Sequence, residues 1–167
     1  MSTVAVTRLV EAPVQDVWRV FTHLAGRCEW LSTVGRVEQI TPGPFGAGTA
    51  WTETRTMSDG GEVTEEFRVS ECTPPERFVV ASPGIGADYR MTYTFTPVAE
   101  GRHQGGTMVT VVQDGAPTRR GGRLLALIFG GLAARTVESA LRRDLHDLGR
   151  AATRQAAHSD GDPATTA

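Results

Sequence analysis

The stretch Thr49-Ala-Trp-Thr-Glu-Thr-Arg-Thr-Met57, Ser58-Asp-Gly-Gly61, Glu62-Val-Thr-Glu-Glu-Phe-Arg-Val-Ser-Glu-Cys72 sets two alternating arms on either side of a glycine turn. Period two over both arms reads as two strands, and Ser58–Gly61 between them reads as a hairpin. In the first arm Trp51, Glu53, Arg55 and Met57 share one side, and Ala50, Thr52, Thr54 and Thr56 the other. In the second, Val63, Glu65, Phe67 and Val69 line up together. The same alternation recurs at Val34–Thr41, Phe78–Ser82, Asp88–Pro97 and Thr107–Asp114, with Gly and Pro clustered between, as in Pro42-Gly-Pro-Phe-Gly-Ala-Gly48 and Pro74-Pro75. No helix-length segment separates these runs, so they are expected to pair antiparallel as a meander.

Upstream, Val4–Val10 reads as a further strand, ending at Glu11-Ala-Pro13. Pro13 suits the first position of a helix because its missing N–H would be unpaired there. Val14, Val17, Trp18 and Phe21 then recur at helical spacing, and a second short helix or turn follows near Gly26–Leu31 with Trp30 buried. Downstream, a long helix is expected from about Thr118 to Arg154. Its apolar stripe is Val137, Leu141, Leu145, Leu148 and Ala152, and Gly130-Gly131 interrupts it at a cost near 1 kcal/mol per Gly against Ala. The sheet needs an apolar partner for one face, and this helix is the sizeable one on offer. The expected fold is therefore α+β of the helix-grip kind. A curved antiparallel sheet of about seven strands surrounds a long C-terminal α-helix, with two short helices after the first strand. The domain spans residues 1–155, and 156–167 form a disordered tail.

A chain of 167 residues fits one domain with a real core, burying roughly 68–70% of the unfolded surface. A net charge of -2 offers no field for a polyanion, so no nucleic-acid partner is expected. Cys28 and Cys72 lie far apart without CxxC spacing, which argues against a disulfide framework and suits a cytoplasmic protein. No signal peptide is expected at the N-terminus. The most apolar run, Leu124–Ala134, falls short of the about 20 residues a membrane span needs.

Several segments resemble the START/Bet v 1-like (SRPBCC) superfamily, in its polyketide cyclase/dehydrase and lipid-transport branch. Val10-Glu-Ala-Pro-Val-Gln-Asp-Val-Trp-Arg-Val-Phe21 is similar to that family's strand-to-helix opening. Gly43-Pro-Phe-Gly-Ala-Gly-Thr49 running into Trp51, Pro74-Pro-Glu-Arg77, and Leu141-Arg-Arg-Asp-Leu145 on the long helix are similar as well. The resemblance covers about residues 3–155 and implies the helix-grip fold with a cavity for an apolar ligand. It implies no particular activity, because carriers, sensors and cyclases share the fold, and it carries over no catalytic residue.

A threonine ladder suits the solvated face of a sheet, so the large-residue faces are assigned to the concave side. In Asp88–Pro97 that side holds Tyr89, Met91, Tyr93 and Phe95. The candidate ligand-binding residues from the strands are Trp51, Glu53, Arg55, Met57, Glu65, Phe67, Tyr89, Met91, Tyr93 and Phe95. The helix adds Leu125, Phe129 and Leu132, with Ile128 alongside. Inward charges among aromatic walls suit an amphipathic or aromatic ligand; the alternative is that Arg55 neutralises Glu53 or Glu65 on a partly wet surface. Gly130-Gly131 either bends the helix away to make room or permits tight packing without a cavity.

Other chemistries find little support. His23, His103, His146 and His158 have no metal-ligand partners at useful spacing, there is no GxSxG elbow, and Gly43–Gly48 lacks the lysine of a phosphate loop. Arg119, Arg120 and Arg123 form a local basic patch read as a solvated face. The leading reading is a carrier or sensor of a small hydrophobic or aromatic molecule, with no metal or cofactor. One alternative is a cofactor-independent cyclase or aromatase in which Glu53, Glu65, Arg55 or a tyrosine moves protons. Another is a protein-interaction module of co-chaperone type, marked by an exposed apolar patch and a filled interior. Oligomeric state is left open, a homodimer included.

Overall fold

A computed structural model describes residues 2–56, 60–83, 87–117 and 131–160. The order of elements is β1 (Ser2–Val10), α1 (Val14–Thr22), a 3-10 turn (Leu24–Gly26), α2 (Arg27–Trp30), β2 (Val34–Gln39), β3 (Ala50–Thr56), β4 (Glu62–Thr73), β5 (Arg77–Pro83), β6 (Ala87–Pro97), β7 (Thr107–Pro117) and α3 (Gly131–Asp160). The seven strands form one antiparallel sheet in the order β1-β7-β6-β5-β4-β3-β2. This is the helix-grip arrangement expected from the sequence. β2 to β7 run as the anticipated meander, and β1 closes onto β7, far from its sequence neighbour β2.

The hairpin between β3 and β4 joins Thr56 and Glu62, paired directly, and Gly60 in the turn takes a positive φ of 84° that favours glycine. Met57, Ser58 and Asp59 lie outside the described residues. The threonine faces point outward. Thr54 and Thr64 share a hydroxyl–hydroxyl bond of 2.8 Å across the β3–β4 pair, and Thr7 and Thr110 one of 2.9 Å across β1–β7, with Thr64 and Thr7 exposed and Thr54 and Thr110 half-buried. Val63, read with the concave set, is exposed instead.

Some boundaries move. Pro13 stands just before α1 and its carbonyl accepts from the Asp16 and Val17 amides, so the helix starts one residue later than expected. The long helix starts, among the described residues, at Gly131 and continues to Asp160, past the expected end at Arg154. The expected contributions of Leu125, Ile128 and Phe129, the basic patch Arg119–Arg123 and Gly130 fall outside the described residues, as does the side chain of Leu132.

α3 packs on β1 and α1 through the predicted stripe. Leu145, Leu148 and Ala152 are fully enclosed and Leu141 nearly so. Burying each leucine contributes about 1.5–3 kcal/mol. At Gly149 a β-carbon would lie 3.4 Å from Arg8 Nε and 3.6 Å from Val10 Cγ2, at ordinary contact distance from β1. At the α1 end the interior is filled by rings. Trp18 meets Phe78 and Phe95 edge-on at 5.6 and 5.4 Å, and Phe21 lies 4.9 Å from Phe78. No helix among the described residues is long and apolar enough to cross a membrane.

Candidate functional site

A cavity of about 350 Å3 lies between the concave face and the first half of α3. That is within the range of small-molecule sites, about 300–1,000 Å3. It exists because the helix stripe changes composition along its length. Leu145 and Leu148 fill the sheet closely, whereas Thr136, Val137 and Ala140 one and two turns earlier leave space.

Eight of the residues expected to face inward line this cavity. Trp51, Glu53 and Arg55 come from β3, Glu65 and Phe67 from β4, and Tyr89, Met91 and Tyr93 from β6. Register explains the walls. Trp51 is paired with Phe67 and the rings stack at 5.5 Å and 23°; Phe78 is paired with Tyr93 and stacks at 4.9 Å. Phe95 is not among the lining residues. At 2% exposure it is sealed under α1 by Trp18 and Phe21, so its end of the concave face is core.

At the base of the cavity the charges form one hydrogen-bonded chain. Glu53, 1% exposed, accepts on Oε1 from Arg27 Nε (2.7 Å) and Trp51 Nε1 (2.9 Å). Its Oε2 accepts from Arg55 Nη2 (2.9 Å) and Nε (3.2 Å). Arg55 Nη1 then donates to Asp144 Oδ2 on α3 at 2.9 Å and to Thr33 Oγ1 at 3.3 Å. Arg27, the first residue of the four-residue α2, also donates to the Phe21 carbonyl and lies over the Phe21 ring at 4.9 Å.

Burial works against the Glu53 carboxylate, but the Arg27 and Arg55 charges and the hydrogen bonds from Trp51 and Arg55 outweigh it, holding its pKa below the ordinary value. Arg55 is also opposed by burial and is held more firmly protonated than a free guanidinium by Asp144 and Glu53. Asp144 shifts the other way for a carboxylate. Its burial raises the pKa, and the pull of Arg55, shared with Glu53, offsets only part of that.

Glu65 stands apart. It sits directly across from Glu53 in the β3–β4 pairing, yet its carboxylate accepts no hydrogen bond among the described residues. Burial, opposed by Arg55 and reinforced by Glu53, raises its pKa. Tyr89 and Tyr93 are likewise raised. Burial leads for both, followed by Glu65 for Tyr89 and by Asp144 for Tyr93, so each remains a protonated phenol at neutral pH. Ser82, 2% exposed and paired with Tyr89, also lines the cavity, and its hydroxyl has no partner among the described residues.

The sequence reading had not brought Arg27, Asp144, Ser82 or Gln113 to this cavity. Asp144 was legible in principle, standing at i+3 from Leu141 on the apolar stripe. Arg27 carried no comparable signal.

Among curated proteins, none matches the chain by sequence. Solved structures do resemble it. The protein TTHA0849 from Thermus thermophilus superposes with a TM-score of 0.73 at 22% identity, covering 92% of this chain and 98% of that one. The di-domain ARO/CYC BexL from the BE-7585A biosynthetic pathway gives 0.67 at 20% identity, covering 92% of this chain, which spans 50% of the di-domain protein. Ara h 8.0201 gives 0.71 at 8% identity, covering 92% of this chain and 98% of that one. At these identities the likeness establishes the fold. The sequence itself matches the model of one family over residues 1–153, nearly the whole length in which the sheet and helix enclose the cavity. The chain thus belongs to the polyketide cyclase/dehydrase and lipid transport family, of the SRPBCC, Bet v 1-like kind.

Proposed function

We propose that this protein binds a small hydrophobic or aromatic molecule in the cavity between sheet and α3, as a carrier or sensor in the cytoplasm. The observation that supports it most is an aromatic-walled space of about 350 Å3 whose floor charges are already hydrogen-bonded to one another. A floor so satisfied lets an apolar body enter without stripping partners from a buried charge. Trp51, Phe67, Met91 and Tyr93 would contact that body. Native mass spectrometry of gently purified protein, with solvent extraction of any adduct, tests the reading. A stoichiometric apolar adduct, or a rise in Tm with added polycyclic aromatics, is the expected result. Neither appearing under saturating ligand would overturn it.

A second reading is a cyclase or aromatase acting in the same cavity, and Glu65 is what favours it. A carboxyl with raised pKa, beside Tyr89 and unbound by other side chains among those described, is suited to move a proton. Glu53 is poorly suited, since its four accepted bonds hold it ionised and fixed. On this reading Glu65→Gln abolishes turnover of a polyketide-like substrate while Glu53→Gln acts through stability. The interaction-module reading finds less support. Ile40 and Val63, the large hydrophobic residues exposed among those described, stand on separate segments.

A further inference from the structure

The polar end of the cavity defines more about its ligand than hydrophobicity does. Two of its polar groups lack partners among the described residues. The Ser82 hydroxyl is enclosed and unpaired, and the Glu65 carboxylate forms no hydrogen bond. They lie diagonally to one another across the β4–β5 pair. Ser82 lies one step beyond the Arg68–Ala81 pair on β5, Glu65 three steps beyond it on β4, and Tyr89 is directly across from Ser82. All three line the same cavity. An enclosed polar group without a partner is destabilising unless something supplies one.

The kind of group that fits follows from donor and acceptor accounting. Glu65 as a carboxylate only accepts, so the ligand must donate to it. A serine hydroxyl has one hydrogen to give as well as lone pairs to accept, so a ligand that also accepts uses that hydrogen. A carboxylate ligand cannot donate, and an ammonium cannot accept. A hydroxyl does both from a single oxygen. The charges agree: Arg27 and Arg55 are matched by Glu53 and Asp144 in the hydrogen-bonded chain, leaving Glu65 in excess and the cavity hostile to an anion.

Resting on the ligand-binding reading above, we infer that the physiological ligand is an uncharged molecule carrying a hydroxyl, phenolic or alcoholic, on its apolar body. That hydroxyl donates to Glu65 and accepts from Ser82, with the Tyr89 phenol beside them. Acyl-chain carboxylates are disfavoured by the same charge balance.

Calorimetric titration of the full chain with naphthol, naphthalene, naphthoate and naphthylmethylammonium tests this. Naphthol is expected to bind about tenfold or more tightly than each of the other three, as a hydrogen bond to a charged group provides. Glu65→Gln and Ser82→Ala should each reduce that preference, and cooperative urea unfolding with an unchanged m-value shows that the variants still fold. Equal binding of naphthol and naphthalene, tighter binding of naphthoate or of the ammonium, or a preference untouched in both variants overturns the inference while the cavity still binds ligands. If none of the four binds, the ligand-binding reading itself fails and the inference goes with it.

Discussion

Replacing Glu53 by Gln removes one charge from a four-membered chain and leaves its shape almost unchanged. The wild-type carboxylate receives Arg27 and Trp51 on one oxygen and Arg55 twice on the other. A glutamine presents one acceptor and one amide, so either the Arg27–Trp51 pair or the Arg55 fork is left facing a donor. Arg27 is 5% exposed and cannot recover its lost partner from water. Breaking a buried pair in this way costs about 3–5 kcal/mol, whereas loss of an exposed pair costs about 0–1 kcal/mol. Urea unfolding of the two proteins at neutral pH distinguishes these cases, with the m-value as a check that unfolding stays cooperative. The acid side supplies a second check. Glu53 is a carboxyl with a lowered folded pKa, so its contribution is complete above the unfolded value and is lost as pH falls through the folded one. The gap between wild type and variant should therefore be widest at neutral pH and narrow below the ordinary carboxylate range. A gap under about 1 kcal/mol at neutral pH, or one that does not narrow in acid, would refute the buried network and restore the wet surface pair.

Leu148→Ala, at a fully enclosed position, should lower stability by about 2–5 kcal/mol with an unchanged m-value in the same unfolding experiment. Gly149→Ala should instead stabilise by up to about 1 kcal/mol, because the new methyl finds ordinary contact with Arg8 and Val10 and helix propensity improves; a clear loss would mean α3 sits closer to β1 than described. Glu65→Gln should be more stable than wild type at neutral pH and lose that advantage in acid. The folded pKa of Glu65 is raised, so its contribution is complete below the unfolded value and is lost as pH rises through the folded one, with Glu53, Arg55 and Tyr89 as its charged or titratable neighbours. Thermal melts across pH measure this, and parallel curves for the two proteins would count against a desolvated Glu65.

What the sequence could tell was set by how far each signal reaches along the chain. Period two is a local property, so it sorted β3, β4 and β6 into faces and brought Trp51, Glu53, Arg55, Glu65, Phe67, Tyr89, Met91 and Tyr93 to one side. It carries no information on which end of that side stays open. Phe95 has the same parity as Tyr93 and a different fate, because α1 lays Trp18 and Phe21 over one end of the sheet and leaves the other to the cavity. The charge chain lay further out of reach. Arg27 meets Glu53 across 26 residues and Asp144 meets Arg55 across 89, and neither pairing leaves a periodic trace. A buried glutamate in a strand does pose a question that the sequence can state: where are its cations? Arg55, two residues away on the same face, answers half of it. The other half comes from a four-residue helix too short to show amphipathicity, whose position is fixed by the packing of Phe21 and Trp30 around the Arg27 guanidinium. The helix stripe shows the same limit. Spacing revealed which α3 residues face the sheet, but the cavity depends on the change from Leu148 and Leu145 to Ala140 and Val137, a matter of volume that hydrophobic periodicity does not register.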